Sequence, residues 1–392
     1  MTSATELPTP SNPGPFGHKL RKDFLFPENF TQFNHGSFGT FPKVVQDDMI
    51  AWHKRAEQNP DIWMRRDLKP ALTETRRKLA ELIHCDKDEL ALVQNTTVGI
   101  NTVLRSLKFQ PGDRILQLST GYISVDKTVR YICDTHEDVK VIEIPITFPL
   151  SDKEILDKVE HAIKEHEQLK DGSRIKLAIV DWISSVPSIL QPVKQLVDLI
   201  QSHGILVYVD GAHAVGQVHI DLADLHPDFF ITNCHKHLIH PTSITSDYKS
   251  GFENEFSWMG TTDYSAIMSI GAAIDYRKQY GEDAIISYTH ALALEGGKVM
   301  AEILGTDCLT PHDHQVGNMV NVRLPLKDVN NPKATYQYFA DILFDRYNIF
   351  TPAFKHGDHW WTRVSAQIYL EVDDFVRLGN IWKEVIDELN AE

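Results

Sequence analysis

Six short apolar runs, ELALVQ, RILQLS, VKVIEIPI, RIKLAIVDWI, GILVYVD and DFFITN, lie between about residues 89 and 233, set among stretches with helical spacing. Such alternation constrains the fold strongly. Parallel strands need a crossover between them, and a helix is the usual one. Repeated strand–helix units therefore predict an α/β fold, a mostly parallel sheet covered by helices on both faces. Ser151 followed by Glu154 is a capping-box pattern, and Ile155, Val159 and Ile163 then repeat along one helical face. VKQLVDLIQSHG carries apolar residues at helical spacing and stops at Gly204.

The pattern changes along the chain. Residues 1–30 are rich in proline and polar side chains and read as an arm rather than a core element. From about residue 43 the spacing is helical, through VVQDDMIAWHKRAEQ and ALTETRRKLAELIHC. Beyond about 285 a long helical segment, MVNVRLPL, YQYFADILFDRY and WTRVSAQIYL predict a smaller α+β lobe. A chain of 392 residues exceeds what one core usually serves. The division expected is an arm over 1–42, a large domain over 43–285 and a small C-terminal domain over 286–392.

Charge and cysteine usage narrow the function. A net charge of −15 argues against a nucleic-acid partner, which needs clustered Lys and Arg. The four cysteines, Cys85, Cys133, Cys234 and Cys308, form no C-x-x-C pair and suit a reducing compartment. The N-terminal stretch has no apolar h-region, and no apolar run reaches the roughly 18–20 residues that span a bilayer. A cytoplasmic protein without a membrane partner is expected. Histidines cluster at His235, His237 and His240, at His312 and His314, and at His356 and His359, but without zinc-site spacing. No metal is expected.

Three motifs carry chemistry. In VYVDGAHA an apolar strand delivers Asp210 at its C-terminal end, where open α/β sheets place ligands. A carboxylate there either caps the next turn or pairs with a cationic ring nitrogen, as pyridoxal phosphate (PLP) requires of its partner. TNCHK follows the strand DFFI and puts Lys236 26 residues beyond Asp210 (236 − 210), room for one crossover. A shielded lysine can form a Schiff base, whereas a lone one is usually a solvated surface residue, so the pair matters more than either member. QNTTVGIN reads as strand, turn and helix, with Thr96 and Thr97 at the helix start, either a plain cap or a phosphate site.

DGAHA, then an x-x-H-K, then W-x-G-T-x-D (Trp258, Gly260, Thr261, Asp263), in that order, resembles the class V aminotransferase family. Within it the chain is most similar to the isopenicillin-N-epimerase-like branch and its fungal hercynylcysteine sulfoxide lyases, from about Phe33 (FNHGSFG) to about Tyr369 (RVSAQIY). SGFENEFSWMGTTDYS and NPDIWMRRDL carry the finer likeness. The resemblance implies the PLP-dependent transferase fold of type I and a homodimer. Lys236 would hold PLP and shuttle the Cα proton. Asp210 would pair with the pyridine nitrogen and His213 would lie near the phenolic oxygen. Thr96, Thr97 and His235 would hold the phosphate, with Thr261 and Thr262 reaching it from a second subunit. Tyr122 would cover the ring and could protonate a leaving group. Arg363 would grip the substrate α-carboxylate, with Asn34, His35 and Ser37 in the arm that closes over it. The implied reaction is β-elimination from a cysteine S-oxide conjugate, hercynylcysteine sulfoxide, giving the ergothioneine thiol or sulfenate, pyruvate and ammonia.

One departure stands against this pattern. Relatives continue from the lysine into W-L-x-x-P-x-G and an apolar antiparallel strand inside the sheet, whereas Lys236 is followed by HLIHPTSITSDYKSGFENEF. Neighbours of a missing interior strand would each keep unpaired backbone groups, costing roughly 1–3 kcal/mol apiece if buried. A cofactor-free paralogue is therefore one alternative. An epimerase is another, and a cysteine desulfurase, which needs a cysteine on a mobile loop, is a third.

Overall fold

The computed structural model describes residues 9–93, 95–169, 171–234 and 263–391. Five of the six apolar runs form one parallel sheet: β1 (Asp113–Leu118), β2 (Lys140–Ile144), β3 (Arg174–Asp181), β4 (Leu206–Gly211) and β5 (Phe229–Thr232), ordered β2-β1-β3-β4-β5. Helices α1 (Lys43–Gln58) and α2 (Leu68–Ile83) precede the sheet, and α3 (Thr96–Ser106), α4 (Ile123–Thr135), α5 (Asp152–Gln168) and α6 (Val193–Ser202) cover it.

Strand periodicity decides which face each residue serves. Ile115, Leu177, Ile179 and Tyr208 pack with Ile100 and Leu104 of α3 and with Val125, Val129 and Ile132 of α4. Their neighbours Leu116, Ala178, Val180, Val207 and Val209 pack with Ile155, Val159 and Ile163 of α5 and Leu196, Val197 and Ile200 of α6. Each buried Val, Leu or Ile among them contributes about 1.5–3 kcal/mol on leaving water. The capping box opens α5 as its sequence predicts: Ser151 N donates to Glu154 Oε2 at 2.7 Å and Glu154 N to Ser151 Oγ at 3.3 Å. Gly204 follows α6 at φ 72°, a left-handed position suited to glycine.

The C-terminal part holds α7 (Glu282–Leu304), β6 (Met319–Leu324), α8 (Tyr336–Tyr347), β7 (Ala353–His356), β8 (His359–Ser365) and α9 (Val372–Ala391), with an antiparallel sheet ordered β6-β8-β7. The α+β lobe is thus as expected, but β7 has no apolar alternation to announce it. It exists because Gly357, at φ 56°, folds AFKH back onto β8.

Two expectations need correction. ELALVQ forms no strand among the described residues: residues 90–93 join no ladder, and β5 is the last described strand on its side. Instead, Leu90 and Leu92 pack against the apolar cluster around Leu79, Ile83 and Ala214. An extended run becomes a strand only beside a partner. The stretch after Lys236 lies outside the described residues. The second correction concerns the arm. Phe16, Leu20, Phe24 and Phe33 are buried in the C-terminal core with Tyr288, Tyr369 and Phe375, so aromatic anchors outweigh the polar composition around them.

Among the described residues no helix is long and apolar enough to cross a membrane, and no group of three or more His, Cys, Asp or Glu could hold a metal ion.

Candidate active site

Parallel strands end at one edge, and the motif residues gather there. Asp210 sits on β4 beside its register partner Asp181 on β3. It is buried, and its Oδ1 accepts the Ala212 N–H at 2.9 Å, which fixes the carboxylate. On the same face lies Tyr208, whose hydroxyl is buried; burial, then the charges of Asp210 and Asp181, push its pKa well up. His213 is buried in the turn that follows β4. Tyr122 leads into α4 beyond the end of β1 and is 45% exposed.

Helix α3 begins at the same edge. Asn233, just past β5, accepts the Thr96 N–H at 2.9 Å through its Oδ1, and Asn95 Oδ1 caps Val98 N at 2.9 Å. Two N–H groups of the first turn are therefore already satisfied, which leaves the Thr97 N–H and the hydroxyls for an anion. Thr96 Oγ1 is buried and has no hydrogen-bond partner among the described residues, while Thr97 is exposed. Thr120 Oγ1, two residues before Tyr122, is likewise buried without a partner among the described residues. Orphaned hydroxyls at a helix start and a buried carboxylate at a strand end fit the phosphate and ring nitrogen of PLP.

Arg363, on β8, reaches from the C-terminal part to the loop that follows β3. It is 2% exposed and makes no ion pair with any carboxylate among the described residues. Its Nη1 donates to Ser185 O at 2.8 Å, and its Nη2 to Asn34 Oδ1 at 3.1 Å and Ser37 Oγ at 2.5 Å. Burial pulls its pKa down to about 10, still charged at neutral pH. A buried guanidinium without a counter-ion is costly, and a carboxylate ligand would repay that cost. His35 is turned elsewhere. Its Nδ1 meets Tyr369 OH at 2.8 Å, and burial followed by the Arg277 charge lowers its pKa to about 3, so it is neutral.

The structure thus brings Asn34, Ser37 and Arg363 together, and Thr96, Tyr122, Asp210 and His213 to one sheet edge. Lys236, His235, Thr261 and Thr262 lie outside the described residues. Sequence reasoning missed Asn233, Ser185 and Thr120; Asn233 stood within TNCHK, but Ser185 contributes only a carbonyl, which no side-chain motif can signal.

A parallel α/β sheet with a carboxylate at one strand end and an open hydroxyl-lined helix start defines a cofactor-binding enzyme of the PLP transferase type. The profile of the family Aminotransferase class-V matches residues 40–248. An L-cysteine desulfhydrase-like protein, lolT1, of Epichloe uncinata is 31% identical over 96% of this chain and 98% of its own. Hercynylcysteine sulfoxide lyase of Schizosaccharomyces pombe is 28% identical over 94% and 97%. Among solved structures, a C-DES mutant with glycine covalently linked to its PLP cofactor superposes with a TM-score of 0.76 at 18% identity, over 93% of this chain and 99% of that one. The chain belongs to the class V aminotransferase family, as a PLP-dependent carbon–sulfur lyase.

Proposed function

We propose that this enzyme cleaves a cysteine S-oxide conjugate, hercynylcysteine sulfoxide, by β-elimination. The observation that carries the reading is Arg363, a buried cation held by Asn34, Ser37 and Ser185 with no carboxylate among the described residues to neutralise it. It suits the α-carboxylate of an amino acid. Lys236 would hold PLP, Asp210 would pair with its ring nitrogen and His213 would flank its phenolic oxygen. Thr96, Thr97 and His235 would hold the phosphate, joined by Thr261 and Thr262 of a second subunit.

The bound cofactor supplies the electron sink for charge that develops at the substrate Cα. The protein's own groups do the rest. Arg363 fixes the carboxylate, Lys236 takes the Cα proton, and Asp210 keeps the ring nitrogen protonated. The Cβ–S bond breaks with its electron pair going to sulfur, and Tyr122 can protonate the departing group. The three-carbon enamine left behind hydrolyses to pyruvate and ammonia.

Cysteine chemistry argues against persulfide transfer. Burial raises the pKa of all four thiols, to about 11 for Cys85 and Cys308 and about 12 for Cys234, so none is an activated nucleophile. The likeness to an L-cysteine desulfhydrase-like protein favours a second reading, with L-cysteine itself as substrate. We place the enzyme in the cytoplasm as a homodimer. Phe38 and Ile123, 76% and 64% exposed, lie close in sequence to Ser37 and Tyr122, and a partner subunit would cover them.

Incubating the purified protein with PLP and either substrate tests the reading. Pyruvate from the sulfoxide supports it; pyruvate and sulfide from L-cysteine alone transfer it to the second substrate. The reading fails if no visible cofactor absorbance is trapped by borohydride, or if Lys236→Ala retains it.

A further inference from the structure

The turn after β4 ends in Gln217, which is 3% exposed. Its Nε2 donates to His213 O at 2.8 Å, within the turn that flanks the proposed ring site. Its Oε1 accepts the Asn318 N–H at 3.1 Å, at the entry to β6 in the C-terminal part. From there the contacts run directly to the carboxylate grip. Asn318 O accepts the Ala366 N–H at 2.7 Å, and the preceding Ser365 donates its N–H to Phe33 O at 2.8 Å. Ser365 Oγ accepts the Gly36 N–H at 3.1 Å, while Arg363 holds Asn34 and Ser37 on either side of that glycine. One amide therefore joins the ring-side turn to the strand and arm that carry Arg363. The approach is close enough to need Gly317, where a Cβ would stand 2.9 Å from Gln217 Oε1.

We infer that Gln217 is a positioning residue that sets the distance between the ring-side turn and the Arg363 grip, and so tunes the enzyme for amino-acid substrates over simple amines. The inference rests on the proposed reading of Arg363 as the carboxylate site. Both bonds are buried, so replacing the amide leaves a carbonyl and an N–H unpaired and frees the two elements to drift apart. A reacting group displaced by about 1 Å loses much of the benefit of being held. Gln217 is not among the side chains proposed to hold the cofactor, and these two bonds are to backbone groups, so the affinity for PLP should change far less than that for a carboxylate-bearing amine.

The test uses the full-length enzyme loaded with PLP. Glycine and ethylamine are titrated separately while the cofactor's visible absorbance is followed, in wild type and in Gln217→Met. Glycine, which carries a carboxylate, is expected to bind about tenfold more weakly in the variant. Ethylamine, which has none, should change less than about twofold, as should the affinity for PLP. Gly317→Ala pushes on the same amide from the other side and is expected to reproduce this selective loss; it decides the matter if Gln217→Met does not fold. Equal weakening of both amines, or no change in either, overturns the positioning role. Failure of the wild type to distinguish glycine from ethylamine would instead remove the carboxylate reading on which the inference stands.

Discussion

Replacing Arg363 with glutamine separates a catalytic demand from a structural one. In the wild type the guanidinium donates to Ser185 O, Asn34 Oδ1 and Ser37 Oγ, and the residue is 2% exposed. Hydrogen bonds to a charged group contribute roughly 1.5–3 kcal/mol each, while an uncompensated buried charge costs several kcal/mol. The two effects nearly cancel in the free protein, so Arg363→Gln should change stability by less than about 2 kcal/mol. Its apparent melting temperature should move by no more than about 5 °C. Substrate binding has no such compensation. Losing a two-pronged grip on a carboxylate removes roughly 3–6 kcal/mol and should raise KM by about two to four powers of ten. Thermal unfolding and pyruvate release with varied substrate measure the two halves. A large fall in melting temperature with unchanged KM would refute the reasoning and make Arg363 a structural strut.

Three further outcomes are expected. His35 has a folded pKa near 3 against an ordinary 6.5, so the unfolded chain takes up a proton that the folded one refuses. The resulting stabilisation is complete above about pH 6.5 and is lost as pH falls toward 3, at about 1.4 kcal/mol per pH unit. Unfolding free energies from denaturant titration should therefore fall less for His35→Gln than for the wild type between pH 6.5 and 4.5, by about 2–3 kcal/mol; parallel curves would disprove it. Thr96→Val removes a buried hydroxyl without a partner among the described residues, so the cofactor-free protein should keep its stability while the PLP dissociation constant rises about three- to tenfold. Gly99→Ala would set a Cβ 1.9 Å from Ile231 Cδ1, pushing α3 from β5 at about 1–3 kcal/mol and weakening PLP binding. Adding Ile231→Val, which deletes that methyl, should recover part of both losses in calorimetry and absorbance titration.

Much of the architecture is local in origin. The period-two apolar pattern of RIKLAIVD and LVYVDG fixes which residues face α3 and α4 and which face α5 and α6, because pleating alternates side chains whatever the partner. The capping box at Ser151 and the left-handed Gly204 are likewise readable, since both act within a few residues. Asp210 could be placed at a strand end for the same reason.

Other features depend on contacts far apart in the chain. ELALVQ has the composition of a strand but joins no ladder among the described residues, because a strand needs a neighbour's backbone and not only its own pattern. Whether Arg363 is paired or bare is decided by Asn34 and Ser37, which lie 329 and 326 residues away. His35 stands between those two in sequence yet faces Tyr369, since the turn that presents its neighbours to Arg363 points it into the core. Apolar periodicity and turn chemistry belong to the sequence alone. Which buried charge lacks a counter-ion, and which neighbouring side chains converge on it, emerges only when distant elements pack, because desolvation and hydrogen-bond distance are properties of the folded whole.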